Sequence, residues 1–287
     1  MQLKLEAREL WARVSGELSD LWAVTEYLNH WARGLDPKGK GREVYLWEGD
    51  DLRVLGGALV AIAQEGAISA CFEPLVDGVG LLDKVQALLD VKLPRDYRVR
   101  QYQAVSAGRV IMAPAGRCLV DMAMGGGKTL VATAIAALGA SYGHPRWLYL
   151  VKNKELAAQS KKTFREMLQP MCDAVGADGA ELVSTTYAGV EKLTDRVFDG
   201  TVVDECQDLP PPTRARGYAL AKPFWRVGLS GTPLDRQDAG NALVIGLLGP
   251  VIHRVSLEEL TENGYLAPGR VQPVIWDRGS RRLALAT

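Results

Sequence analysis

Met124-Gly125-Gly126-Gly127-Lys128-Thr129 stands between Cys118-Leu119-Val120 and the longer apolar segment Leu130-Val131-Ala132-Thr133-Ala134-Ile135-Ala136-Ala137-Leu138. The short run reads as a buried strand and the long one as a helix, so the glycines make the turn between them. Residues without side chains let backbone N–H groups approach an anion closely, and a helix N-terminus adds its dipole field. The stretch therefore predicts a phosphate cradle, in which Lys128 reaches the β/γ-phosphates and Thr129 offers a hydroxyl to magnesium. One position departs from the full pattern G-x-x-x-x-G-K-[ST]: Met122 stands where the first glycine belongs. Taken alone, the stretch also fits a plain glycine-rich turn.

Some 75 residues later, the apolar run Thr201-Val202-Val203 ends in Asp204-Glu205. An isolated acidic pair is ordinarily a solvated turn. Placed at a strand end after a phosphate loop, Asp204 is expected to hold magnesium and Glu205 to orient or deprotonate the attacking water. ATP and Mg2+ are the cofactors this pairing calls for.

The 287 residues, 47% hydrophobic and 24% charged, give room for one large domain and a smaller companion. No apolar run reaches membrane-spanning length and the N-terminus lacks a signal-peptide pattern, so a cytoplasmic location without membrane contact is expected. Cys71, Cys118, Cys172 and Cys206 are scattered, with no C-x-x-C pair and three histidines in the chain, which argues against structural zinc and for buried reduced thiols. Formal net charge is zero, yet residues 1–94 carry 10 basic and 15 acidic side chains and the remainder 24 and 19. Nucleic-acid binding must then rest on local patches rather than on a global field.

Two domains are expected. Residues 1–93 read as a small α+β unit: alternation over Leu3 to Arg8 gives a strand, residues 19–31 a helix, 36–41 a loop and Val44 to Trp47 a strand. Helices are expected over 58–65 and 81–89, around a strand at 67–72. Leu93-Pro94-Arg95-Asp96 marks the boundary. Over 94–270 short apolar strands alternate with helices, the pattern of a mostly parallel α/β sheet covered on both faces, with strands at 119–120, 147–151, 182–184, 201–203 and 227–229. Chemistry gathers at the C-terminal ends of such strands. Residues 271–287 form a tail or the start of a linker.

Those strand ends carry further clusters: Val99-Arg100-Gln101-Tyr102-Gln103, then Leu150-Val151-Lys152-Asn153-Lys154-Glu155-Leu156, Ser184-Thr185-Thr186-Tyr187, Asp204-Glu205-Cys206-Gln207 and Leu229-Ser230-Gly231-Thr232-Pro233. In this order they resemble the motifs of superfamily 2 helicases. The resemblance implies a RecA-like P-loop domain, with Arg100 and Gln103 on the adenine side and the backbone of Met124, Gly125, Gly126 and Gly127 around the phosphates. Lys128, Asp204 and Glu205 would be catalytic, with Thr129 and Asp204 on magnesium. Gln207, Ser230 and Thr232 would couple the ATP cleft to a nucleic-acid track over Lys152, Asn153, Thr185 and Thr186. For those last four, loop capping by Ser, Thr and Asn is the plainer alternative. Gln207 departs from the D-E-x-H and D-E-x-D forms but keeps the capacity to hydrogen-bond toward the next motif.

Gly249-Pro250-Val251-Ile252 with Leu257, Leu260, Gly264, Tyr265, Leu266 and Ala267 is similar to the end of the first motor domain in XPB-like and UvsW-like DNA helicases. Residues 1–93 are similar in layout to their N-terminal, DNA-recognising domain. Trp11, Trp22, Trp31, Tyr45 and Trp47 there either stack on bases or fill a core. The resemblance implies a phage-type enzyme of DNA recombination, replication or repair in the host cytoplasm, with DNA favoured over RNA. It also implies a second motor domain carrying an arginine finger, for which the residues after Trp276 are too few. Hydrolysis by this chain alone is then expected to be weak. The competing readings are a scaffold module that binds nucleic acid or a partner without unwinding, and an RNA helicase of the same superfamily.

Overall fold

The computed structural model describes residues 74–114, 116–193, 196–208, 225–234, 244–245 and 248–267, and the backbone of 4–8, 11–15, 43–47, 274–275 and 284–285. Near the N-terminus, β1 (Lys4–Arg8), β2 (Trp11–Ser15) and β3 (Glu43–Trp47) form an antiparallel sheet, with Leu5 opposite Val14 and Ala12 opposite Leu46. β1 and β3 were expected, and β2 was not. The helices expected over 19–31 and 58–65, the loop at 36–41 and the strand at 67–72 lie outside the described residues.

The main unit begins with α1 (Leu81–Asp90) and α2 (Gln101–Ile111). Six strands follow: β4 (Arg117–Met122), β5 (Arg146–Val151), β6 (Glu181–Thr186), β7 (Gly200–Asp204), β8 (Trp225–Ser230) and β9 (Val251–Val255). They pair in the order β6-β5-β7-β8-β4-β9, every pair parallel. α3 (Lys128–Ser141) links β4 to β5, α4 (Lys154–Val175) links β5 to β6, and α5 (Leu257–Glu262) follows β9.

The period-2 geometry of the strands divides the apolar residues between two cores. Cys118, Val120 and Met122 of β4 and Trp147, Tyr149 and Val151 of β5 join the large core with α2, α3 and α4. Leu119, Leu148, Leu150 and Val203 point the other way and pack with Phe198, Val244 and Leu248. α3 is buried continuously from Val131 to Gly139, which explains why its sequence is apolar on all sides. α1 packs on α2 and α4, and Lys84 Nζ bonds the Ser141 carbonyl (3.0 Å) and hydroxyl (2.9 Å). The thiols of Cys118, Cys172 and Cys206 are free and buried, and burial pushes all three up, that of Cys172 to about 11.

Trp147 anchors the large core. It is fully buried, its Nε1 donates to the His144 carbonyl at 2.8 Å, and its ring lies 5.7 Å from that of Trp225. Gly139 of α3 and Gly200 of β7 admit it: a Cβ there would come within 2.5 and 2.2 Å of the ring. Trp147→Ala is expected to destabilise the domain by about 3–5 kcal/mol, because the rigid sheet and helix around the cavity cannot collapse into it. Urea unfolding followed by far-UV circular dichroism checks this; a loss under about 1 kcal/mol, the scale of an ordinary substitution, would contradict it.

Candidate nucleotide site and its coupling line

Because every strand of the main sheet is parallel, the chain leaves β4, β5, β6, β7 and β8 at the same edge, and all the candidate residues except Arg100 and Gln103 lie at or just beyond these strand ends. The turn from β4 to α3 holds Gly125 and Gly127 at φ +82° and +81°, a backbone conformation costly for residues with a Cβ. A Cβ on Gly127 would lie 2.4 Å from Gln103 Nε2. The loop is therefore built for bare backbone, which fits a triphosphate cradle.

Lys128, the first residue of α3, directs its Nζ to Glu205 Oε1 at 2.7 Å. Glu205 Oε2 accepts from Gln207 Nε2 at 2.9 Å. Gln207 Oε1 accepts a short hydrogen bond from the Ser230 hydroxyl, which itself accepts the Thr232 N–H at 3.0 Å. A continuous polar line thus runs from the phosphate loop to the end of β8. It contains Lys128, Glu205, Gln207, Ser230 and Thr232, and Gln207 serves as its hinge with one amide end on each neighbour. Glu205 has φ +49°, a sparsely populated conformation for a residue with a side chain, of the kind that collects at functional sites.

Asp204 ends β7 beside this line. Burial raises its pKa above the ordinary carboxylate range, opposed by the Tyr149 hydroxyl and the Lys128 charge. The buried Tyr149 hydroxyl lies next to Asp204 and Thr129 without a well-formed hydrogen bond to either. The Asp204 carboxylate and the Thr129 hydroxyl are oxygen donors suited to a hydrated magnesium ion. Tyr187 fixes the turn by donating to the Asp204 carbonyl at 2.6 Å.

On the other flank a cleft of about 910 Å³ opens between the loop and the start of α2, lined among others by Arg100, Gln103, Gly125, Gly127, Thr129 and Tyr265. Gln103 is buried, with both amide ends engaged: Oε1 accepts the Arg100 N–H and Nε2 donates to the Gly126 carbonyl, each at 2.9 Å. Tyr102 donates to the same carbonyl at 3.0 Å. For Gln103 to read an adenine edge, its bond to Gly126 must be exchanged for one to the base. Met124 is exposed at the tip of the loop.

The four expected nucleic-acid residues lie at neighbouring strand ends, with Leu150 opposite Thr185 and Val151 opposite Thr186. Lys152 pairs with Asp208 at 2.9 Å, Asn153 caps α4 by accepting the Leu156 N–H at 2.9 Å, and Thr186 Oγ1 accepts the Gly189 N–H at 3.1 Å. Sequence reading missed Tyr149, Tyr187 and Asp208. Alternation along β5 was the one signal that set Tyr149 on the same face as Trp147.

Residues 95–235, which hold the phosphate loop, the acids and the coupling line, match the family described as "Type III restriction enzyme, res subunit" (ResIII). This likeness, with the all-parallel six-stranded sheet, is to the RecA-like domains of superfamily 2 helicases. The chain is 27% identical over 186 residues to the "DNA 3'-5' translocase XPB2" of Sulfurisphaera tokodaii, covering 61% of this chain and 39% of the relative's length. In fold it is similar to the crystal structure of the UvsW helicase from bacteriophage T4, with a TM-score of 0.58 at 16% identity over 88% of this chain and 100% of that one. A second T4 UvsW structure gives a TM-score of 0.58 at 15% identity, over 88% of this chain and 57% of its own.

Proposed function

We propose that this chain is the ATP-binding half of a superfamily 2 DNA helicase or translocase, of phage type and acting in recombination, replication or repair. The observation that carries this reading is the unbroken line Lys128–Glu205–Gln207–Ser230–Thr232, which joins the group meant for the phosphates to the group meant for coupling. Its continuity through Gln207 favours a working motor over a retained scaffold. The relative described as a DNA translocase supports DNA as the track.

In this reading the loop amides and Lys128 stabilise phosphate charge, Glu205 takes a proton from the attacking water, and Thr129 and Asp204 would hold Mg2+. A magnesium ion held there would neutralise phosphate charge. Binding of ATP draws Lys128 away from Glu205, and Gln207 passes the change to Ser230 and Thr232. Lys152, Asn153, Thr185 and Thr186 then form the nucleic-acid track, and a second motor domain faces the cleft. The domain division at 94 and 270 belongs to the same proposal.

Calorimetric titration with ATP and Mg2+ tests it. Lys128→Ala is expected to weaken binding about 10- to 150-fold, the worth of a hydrogen bond to a charged group. If neither the wild type nor the variant binds, the scaffold reading takes its place. Competition among branched DNA, duplex DNA and single-stranded RNA is expected to favour DNA. Preference for RNA would assign the chain to the RNA helicases, since backbone contacts carry little base information.

A further inference from the structure

We propose that Tyr265, paired with Arg100, is the residue on which the nucleobase stacks in the ATP cleft. This rests on the reading of the cleft as a nucleotide site. Tyr265 comes from the far end of the motor domain, 165 residues from Arg100, and its place is built by the end of α5. There Tyr265 N–H and Leu266 N–H both donate to the Leu260 carbonyl, at 2.8 and 3.0 Å, while the Leu260 side chain is fully buried. These two hydrogen bonds to one carbonyl turn the chain back over the phosphate loop. Leu266 then packs against Gly125, where a Cβ would lie 2.9 Å from its Cδ2, and the half-buried Tyr265 ring lines the cleft beside Gly127 and Thr129.

The chemistry of the ring suits a base. The Arg100 guanidinium lies 4.3 Å from its centroid, and Nη1 reaches the Tyr265 carbonyl at 3.5 Å. Tyr102 supports it with a ring 5.5 Å away, tilted by 52°. A guanidinium stacked on a phenol is a planar, weakly hydrated surface, onto which a purine adds with little loss of conformational freedom. Gln103 cannot supply the affinity in this conformation, because both ends of its amide are engaged. Stacking on the Arg100–Tyr265 pair would hold the base, while the loop holds the phosphates.

The test separates base from phosphate. Wild type, Tyr265→Phe, Tyr265→Ala and Tyr265→Leu of the full chain are titrated with ATP·Mg2+ and with Mg2+-tripolyphosphate, after circular dichroism has confirmed folding. Tyr265→Ala is expected to weaken ATP about 5- to 150-fold, the range for removing an aromatic from under a base, and to leave tripolyphosphate unchanged. Tyr265→Leu, which keeps apolar bulk against Tyr102, is expected to show the same split, and Tyr265→Phe to bind as wild type. An equal loss for both ligands would overturn the proposal and make Tyr265 a brace for the loop through Leu266. Unchanged ATP binding in the Ala and Leu variants would overturn it as well. A wild type that binds neither ligand would remove the nucleotide site itself, and the proposal with it. In the two former results wild type still binds tripolyphosphate, so the failures are distinguishable.

Discussion

Assayed alone, this chain is expected to bind ATP with Mg2+ but to hydrolyse it about 10³- to 10⁵-fold more slowly than a form in which a second motor domain closes the cleft. The reason lies in what the described residues bring to the phosphates. Lys128 is the cation that the Asp204 and Glu205 carboxylates face, and it is paired with Glu205 at 2.7 Å. When Lys128 moves to the β/γ-phosphates, charge that develops in the transition state on the far side of the γ-phosphate meets no second cation among the described residues. An arginine finger from a facing domain supplies that cation in related phosphoryl-transfer systems, and its loss accounts for the range given. Phosphate release measured with and without duplex DNA, on this chain and on a longer one that includes the second domain, decides the matter. A DNA-stimulated turnover of several per second by this chain alone would sink the prediction.

What was legible in the sequence follows from how each element is buried. β5, β7 and β8 lie inside the sheet, so both faces are apolar and each read as a short hydrophobic run; β4 likewise. β9 was missed because His253 and Arg254 break its apolar run: in Val251-Ile252-His253-Arg254-Val255 only Val255 is buried. α2 was read for its motif rather than as a helix, since Gly108 and its small residues give weak periodicity. The site divides in the same way. Lys128, Asp204 and Glu205 are set by local spacing within strand-turn-helix units, so their types and order already imply the chemistry. Tyr149 beside Asp204, Asp208 against Lys152 and Tyr265 against Arg100 are meetings of distant segments that only the parallel sheet brings about. Gln207 shows the limit from the other side: its departure from His was visible in the sequence, but that its two amide ends fit Glu205 and Ser230 was not.

Glu205→Gln is expected to lower the rate of the hydrolytic step by about 10²- to 10⁴-fold, the contribution of a positioned general base, and to leave ATP binding intact or several-fold tighter. The carboxylate does two things at once: Oε1 holds Lys128 and Oε2 holds Gln207, at 2.7 and 2.9 Å. An amide of the same shape fills the same space, but it takes no proton from water, and its NH2 end cannot accept from either neighbour. The rate therefore falls through the lost base. Affinity moves the other way, because the Lys128–Glu205 pair must open before Lys128 reaches a phosphate, and a neutral amide holds the ammonium less firmly. Single-turnover hydrolysis with protein in excess over labelled ATP, run beside equilibrium binding, reads the two effects separately even where the basal rate is low. A variant that loses rate and affinity in equal measure would make Glu205 a strut for the loop instead of a base, and an unchanged rate would move the water-activating role to another residue. The opposite signs expected for rate and binding are what distinguish a carboxylate used in both states of the cleft from one used in a single state.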